Sequence, residues 1–213
     1  MPVKPRQTKK RTKAEQSAET RAMFISVARD LFASQTYANT STEQILLSTN
    51  VTRGALYHQF ADKADLLRAV CEQIQQEIVK DINAAIEKAV DSFDALIIGC
   101  DAFLEAVAKP DIQQIWLIDA PAVLGWEEWN RLDREYGFGL LLEGVKQAIK
   151  DGCLKSKSSE AVAVVLNGAI NEGVIWAARS DNPVEKLAEV RSALHEILQA
   201  LCNRYNGYNG CNG

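Results

Sequence analysis

Apolar residues recur three or four positions apart along most of the chain, which is the spacing of one face of an α-helix. The first such face includes Met23, Phe24, Val27 and Leu31 and predicts a helix over 18–35. No stretch alternates apolar and polar residues in the manner of a half-buried strand. The pattern therefore predicts an all-α protein of about nine helices.

Two short helices follow the first one closely. Ser41 can cap a helix that ends near Ser48, and Thr52 can cap a third helix that ends near Gln59. Asp62 then begins a long amphipathic helix. The spacing of the second and third helices is that of a helix-turn-helix over 41–60, which lets one helix enter the major groove of DNA.

The remainder of the chain also has helical periodicity. We expect helices over 92–108, 111–119, 126–150, 159–179 and 183–205. The last two are candidates for a dimer interface, the first because of its small residues and the second because of an apolar seam over 187–205. Acids and arginines alternate between Glu127 and Glu135, and we interpret them as ion pairs along one helix.

Charge is distributed unevenly along the sequence. The chain carries −4 overall, but residues 1–70 hold eleven Lys and Arg against six Asp and Glu. Residues 1–17 are basic and predict a flexible arm, which is either a solvated tail or a segment that lies along DNA phosphates or in a minor groove. A basic first third on an acidic body favours a polyanion-binding module, here 18–78, joined to a second domain over 79–205. The Asn-Gly repeat near the end predicts a disordered tail over 206–213.

Other classes of protein fit the composition poorly. The five cysteines are scattered and lack the spacing of a zinc site, so we expect no metal and no cofactor. No apolar run approaches the roughly 20 residues of a membrane span, so we expect no membrane partner and a cytoplasmic location. No nucleophile, histidine and carboxylate are arranged for catalysis, and we expect no enzymatic activity.

The residues of the helix-turn-helix segment resemble those of the TetR family of bacterial transcriptional regulators. The shared positions, which keep the family's spacing over roughly 18–78, are Leu31, Phe32, Tyr37, Thr40, Ser41, Ile45, Val51, Thr52, Arg53, Gly54, Leu56, Tyr57, His58, Phe60, Lys63, Leu66 and Leu67. The resemblance implies a DNA-binding domain followed by a helical domain that binds ligands and dimerises.

The resemblance also implies which residues contact double-stranded DNA. They lie at the start of the second helix, along the third and at the start of the fourth: Thr40, Thr42, Thr52, Arg53, Gly54, Ala55, Tyr57, His58 and Lys63. Two positions depart from the family pattern, since Thr36 and Asn50 replace glycines. Asn50 tolerates a left-handed backbone, whereas Thr36 does not, so we expect the first helix to end differently there.

Large aromatic residues concentrate in the second domain, as expected for a small-molecule cavity. Aromatic rings with nearby acids suit an aromatic or cationic ligand. The candidate ligand-binding residues are Trp116, Asp119, Trp126, Asn167, Asn171 and Trp176.

These observations favour a dimeric repressor that binds a palindromic operator and is released by a small-molecule effector. Two alternatives remain at this point: a helical small-molecule-binding protein without operator control, and an enzyme that uses the cavity of the second domain. Binding to a specific duplex distinguishes the first possibility from the other two.

Overall fold

The computed structural model of the protein describes residues 12–202, which form helices joined by short connections. Ten helices lie in that range when the continuous run 110–124 is counted once. The expected all-α fold is therefore confirmed. The basic residues before position 12 and the predicted tail over 206–213 lie outside the described residues.

Four helices build the amino-terminal domain and its connection to the rest of the chain: α1 (Lys13–Asn39), α2 (Thr42–Thr49), α3 (Arg53–Gln59) and α4 (Lys63–Ile86). Ser41 and Thr52 cap α2 and α3 as predicted. Ile45 and Leu56 are buried against Phe32 of α1, which fixes the angle between the two short helices.

The first helix begins earlier than its apolar pattern indicates. Thr12 accepts a hydrogen bond from the Glu15 backbone N–H, and the Glu15 carboxylate accepts one from the Thr12 N–H, which together form a capping box. Residues 13–17 thus belong to α1 and not to the flexible arm in which the sequence pattern placed them.

The second domain contains the remaining elements: α5 (Ser92–Val107), α6 (Pro110–Ile112), a π-helix (Gln113–Asp119), α7 (Ala120–Leu124), α8 (Trp126–Glu135), α9 (Gly137–Lys150), α10 (Ser159–Ala178) and α11 (Pro183–Leu201). Helix α4 packs on α5, α5 on α9, α9 on α10, and α10 on α11. The π-helix and α6 pack against α1 and so connect the two domains.

Two predicted helix bounds are wrong. The expected helix over 126–150 breaks at Tyr136, where φ of −117° and ψ of −94° depart from helical values. Pro121 does not end the preceding helix but lies in the first turn of α7. It follows a segment in which the Ala120 N–H bonds to the Ile115 carbonyl, five residues earlier.

The apolar seam predicted over 187–205 divides between two surfaces. Leu194 is buried in the core of the subunit, whereas Ile197 is exposed, and the role of this helix in dimerisation stays a prediction. Exposed apolar residues of the last two helices include Val165 of α10 and Ile197 of α11, which line one shallow groove.

The expectation that no apolar run approaches the length of a membrane span also needs correction. Among the described residues, α10 is long and apolar enough to span a membrane by length and composition, with a hydropathy of 1.5. A core helix of a folded domain passes the same test, and α10 packs against α5, α9 and α11.

Candidate DNA-binding surface and ligand cavity

Helix α3 presents one continuous exposed side. The Thr52 hydroxyl oxygen accepts a hydrogen bond from the Ala55 N–H and so starts the helix, while Leu56 anchors its inner side. The exposed side carries four of the predicted DNA-contacting residues, namely Arg53, Gly54, Tyr57 and His58. Ala55 is half-buried between the two sides. A helix with this exposure fits the geometry of a recognition helix in a major groove.

Two side chains on this surface hold Arg53 in place. Its guanidinium lies 5.6 Å from the centre of the Tyr57 ring, and its Nη1 lies 3.4 Å from Glu43 Oε1 on α2. The sequence analysis did not single out Glu43. Because both partners of this ion pair are exposed, the pair contributes little to stability and Arg53 remains available to DNA.

Gly54 has open space around it. A Cβ placed there would find no heavy atom of the protein within 4 Å. Packing within the protein therefore does not require glycine at this position, and its contact with DNA stays a prediction.

Three predicted DNA contacts are placed differently from what the resemblance implies. The side chain of Thr40 is buried and its hydroxyl donates to the Thr36 carbonyl, so it does not reach phosphate. The Lys63 ammonium donates to the carbonyl oxygens of Tyr37 and Thr40, at 2.9 and 2.7 Å. Thr42 is half-buried and its hydroxyl donates to Glu43.

Thr36 and Asn50, which replace glycines of the family pattern, both have a positive φ. Asn50 adopts the left-handed conformation that the sequence allows, with φ 53°. Thr36 also has a positive φ, of 72°, so the expectation that the first helix would end differently there is wrong. The Thr36 carbonyl accepts the Thr40 hydroxyl, and its own hydroxyl accepts from Asn39. These bonds hold a conformation that a β-branched residue rarely adopts.

Helix α1 is kinked at Thr36, and three residues next to the kink connect it to the second domain. They are Tyr37, Lys63 and Asp119, and we call them the interdomain link. The Tyr37 backbone N–H donates to Asp119 Oδ2 of the π-helix at 2.9 Å. The Lys63 ammonium lies 3.9 Å from the centre of the Tyr37 ring and bonds to the Tyr37 carbonyl. Asp119 was predicted to bind ligand, but its carboxylate is bonded to Tyr37 and Gln114.

Two cavities in the described part of the second domain are candidates for a ligand site. The first, of about 350 Å³, lies among α4, α5, α9 and α10 and is lined mainly by apolar residues such as Leu96, Phe103 and Ile170. We call it the apolar cavity. The second, of about 460 Å³, lies between α8 and α10, and we call it the tryptophan cavity after Trp126 and Trp129 in its wall.

Three of the six predicted ligand-binding residues line the tryptophan cavity, and the other three lie elsewhere. Trp126, Asn167 and Asn171 line the tryptophan cavity. Trp116 lies behind the wall, stacked on Trp129 at 5.4 Å between ring centres, and its carbonyl oxygen accepts the Trp129 indole N–H. Trp176 is half-exposed, lines neither cavity, and has the Lys186 ammonium 5.6 Å from its ring centre.

The sequence analysis missed the most unusual group in the tryptophan cavity, the carboxyl of Asp133. The ion pairs predicted along α8 do form between Arg131 and both Glu128 and Glu135, but Asp133 is only 2% exposed. Its Oδ2 accepts the Asn167 amide at 2.7 Å, while its Oδ1 has no protein partner. Burial raises the pKa of Asp133 to about 6, partly offset by the Asn167 hydrogen bond and by Arg134.

Comparisons with known proteins agree with this geometry. The family model described as "Bacterial regulatory proteins, tetR family" matches residues 24–70, and "Tetracyclin repressor-like, C-terminal domain" matches residues 93–201. The transposon Tn10 TetC protein of Escherichia coli is 26% identical over 181 residues, which cover 84% of this chain and 90% of that protein. The transcriptional regulator SrpR of Pseudomonas putida is 32% identical over 49% of this chain and 47% of its own length.

A solved structure extends the similarity to nearly the whole chain. A TetR-family transcriptional regulator from Pectobacterium atrosepticum superposes with a TM-score of 0.76 and 33% identity, covering 91% of this chain and 98% of that chain. The fold and the exposed recognition helix define a helix-turn-helix DNA-binding regulator. The chain belongs to the TetR family of bacterial regulatory proteins and is a transcriptional regulator.

Proposed function

We propose that the protein acts in the cytoplasm as a homodimeric repressor that binds a palindromic operator and is released by a small-molecule effector, without enzymatic activity. The observation that carries this proposal is the exposed side of α3, on a domain that hydrogen bonds connect to a cavity-bearing domain. Arg53, Tyr57 and His58 would contact DNA, together with the N-terminal end of α3 at Thr52.

The outer faces of α10 and α11 are the proposed dimer interface. A shallow groove between these helices is lined by Ala161, Val165, Leu166, Ile197 and other apolar residues. Val165 is 62% exposed and Ile197 is 42% exposed in the single subunit. Pairing this face with its copy would bury those residues in a four-helix bundle and place the two recognition helices under twofold symmetry.

The tryptophan cavity is the proposed effector site. Its wall residue Trp129 is hydrogen-bonded to the carbonyl of Trp116 at 2.9 Å, and Trp116 belongs to the same π-helix as Asp119. Asp119 in turn accepts the Tyr37 N–H at the end of α1. A ligand that displaces Trp129 would therefore move the interdomain link and the start of α4, which sets the spacing of the recognition helices.

Selection of bound sequences from random DNA duplexes tests the proposal. We expect a palindrome to be enriched and Arg53→Ala to weaken its binding by about tenfold or more. The matched control is Arg179→Ala, which removes an exposed arginine at the far end of α10 and should leave binding unchanged. Failure to enrich any sequence, or equal loss in both variants, would contradict the assigned recognition surface.

A further inference from the structure

Three oxygen atoms in the wall of the tryptophan cavity lack hydrogen-bond partners. They are Asp133 Oδ1, Asn167 Oδ1 and Asn171 Oδ1. Asn167 and Asn171 are one turn apart on α10, and the Asn167 amide is bonded to Asp133. All three atoms are hydrogen-bond acceptors, so a ligand that satisfies them must supply donors.

A fourth unpartnered group lies next to this set. Gln75 of α4 is fully buried and neither atom of its amide has a partner. A Cβ at Gly137 would lie 3.2 Å from Gln75 Oε1 and 3.8 Å from Asp133 Oδ1, so the two oxygens approach the same point. Unpartnered buried polar groups are costly, and a bound molecule that supplies donors to the three cavity oxygens would offset that cost.

The charges around the cavity favour a positive ligand. Asp133 and Glu172 line the wall, and the only basic side chain of the lining among the described residues is Arg134. The Arg134 guanidinium lies over the Phe138 ring, 5.0 Å from its centre, and 3.4 Å from Glu160. Arg134 thus has an ion-pair partner in Glu160 and acts on Asp133 only at longer range, and no ion pair to Asp133 forms within residues 12–202.

The aromatic side of the cavity complements these acceptors. The rings of Trp126 and Trp129 are stacked with their centres 5.0 Å apart, and Phe138 lies in the same wall. Aromatic faces accept apolar rings and attract cations. The cavity thus combines an apolar surface with a buried acidic end.

We propose that the tryptophan cavity binds an organic ammonium ion, with its N–H donors on Asp133, Asn167 and Asn171 and its apolar body against Trp126, Trp129 and Phe138. This inference rests on the proposed function, since it specifies the chemical class of the effector. An alkylammonium has three N–H donors, which equals the number of unpartnered oxygens on those three residues.

Calorimetric titration of the full chain with three matched probes tests this inference. The probes share a naphthalene ring and differ in one group: 2-naphthylmethylammonium, 2-naphthylmethanol and 2-naphthoate. At neutral pH we expect the ammonium probe to bind about tenfold or more tighter than the alcohol, and the carboxylate to bind most weakly. An ammonium probe that binds no tighter than the alcohol, or not at all, overturns the inference.

The substitution Asp133→Asn tests whether the Asp133 carboxylate is the group that binds the ammonium ion. It should reduce the preference for the ammonium over the alcohol to less than about threefold. The matched control Glu127→Gln removes a carboxylate from an exposed position of the same helix and should keep the preference. Asn171→Leu, which leaves the Asp133–Asn167 pair intact, should also weaken ammonium binding, and a preference that survives both substitutions refutes the site.

A pH series on the unaltered protein gives a readout that does not depend on a variant. Protonation of Asp133 at mildly acidic pH should remove the advantage of the ammonium probe and leave the alcohol unaffected. The other charged groups of the cavity lining are Arg134 and Glu172, and Glu160 is paired with Arg134. A preference that is constant through this pH range contradicts the assignment to Asp133.

Operator binding measured with the same probes separates the two proposals. If the ammonium binds with the stated preference but does not release the operator, the ligand class stands and the release step of the proposed function fails. If another compound releases the operator and the ammonium preference is absent, the proposed function stands and the ligand class is wrong.

Discussion

Thr36 has the least favourable backbone conformation among the described residues outside glycine. Its φ of 72° and ψ of 160° lie in a region that is essentially confined to glycine. The Thr40 hydroxyl on its carbonyl and the Asp119 carboxylate on the next N–H hold the chain there. The β-branched side chain of Thr36 therefore strains the backbone at the end of α1, and hydrogen bonds with Thr40 and Asp119 keep that backbone in place.

Thr36→Gly should raise the free energy of unfolding by about 1 kcal/mol, because glycine adopts this conformation without a steric clash. Urea unfolding measures the change. Ser34→Gly in the preceding turn is the matched control and should lower stability by roughly 0.5 kcal/mol, because the backbone there is helical. If both variants are destabilised, the conformation at position 36 is not strained.

Asp133 should make the folded protein less stable as pH rises. Its pKa in the folded state is about 6, above the ordinary value of 3.8, so the folded state binds more protons than the unfolded state between these values. Stability contributed by the protonated carboxyl is present near pH 4 and is lost as pH rises through about 6. At neutral pH the ionised carboxylate then costs about 2–3 kcal/mol.

Asp133→Asn removes this dependence while its Oδ1 can still accept the Asn167 amide. We expect the variant to gain about 2–3 kcal/mol relative to the parent between pH 4 and neutral pH, as measured by urea unfolding. The other carboxylates titrate in both proteins and cancel in the difference. A constant difference across this range would mean that water solvates the carboxyl.

At the scale of elements, local signals predicted the DNA-binding half well. Ser41 and Thr52 are caps whose bonds reach only three residues ahead, so sequence patterns reveal them. The burial of Asp133 and Gln75 depends on which helix faces which, and no local signal contains that information. Asp119 was recognised as an unusual acid, but its partner Tyr37 is 82 residues away.

The π-helix belongs to the second domain and packs against α1 of the first. Asp119→Ala should leave the Tyr37 N–H without an acceptor, which costs about 1–3 kcal/mol for a buried group. We expect faster hydrogen exchange in segment 36–41 and weaker operator binding. Asp119→Asn retains an oxygen acceptor and is the matched control. Unchanged exchange in the alanine variant would show that the hydrogen bond does not hold α1 in place.

At the scale of the whole molecule, the proposed recognition of a palindromic operator requires two subunits, because one recognition helix reads only a few base pairs. The proposed interface predicts that Val165→Glu or Ile197→Glu yields monomers in sedimentation experiments. Val90→Glu is the control, since Val90 is also apolar and exposed but lies between α4 and α5.

Loss of the dimer should weaken operator binding by about 100-fold or more. In the dimer, binding of one subunit holds the other next to its half-site, and a monomer lacks this advantage. Leu194→Glu does not test this point, since Leu194 lies in the subunit core and its replacement would unfold the protein. A dimer that survives both exposed substitutions would place the interface on another face. The recognition helices would then need a different symmetry axis, and the half-site spacing selected from random duplexes would reveal it.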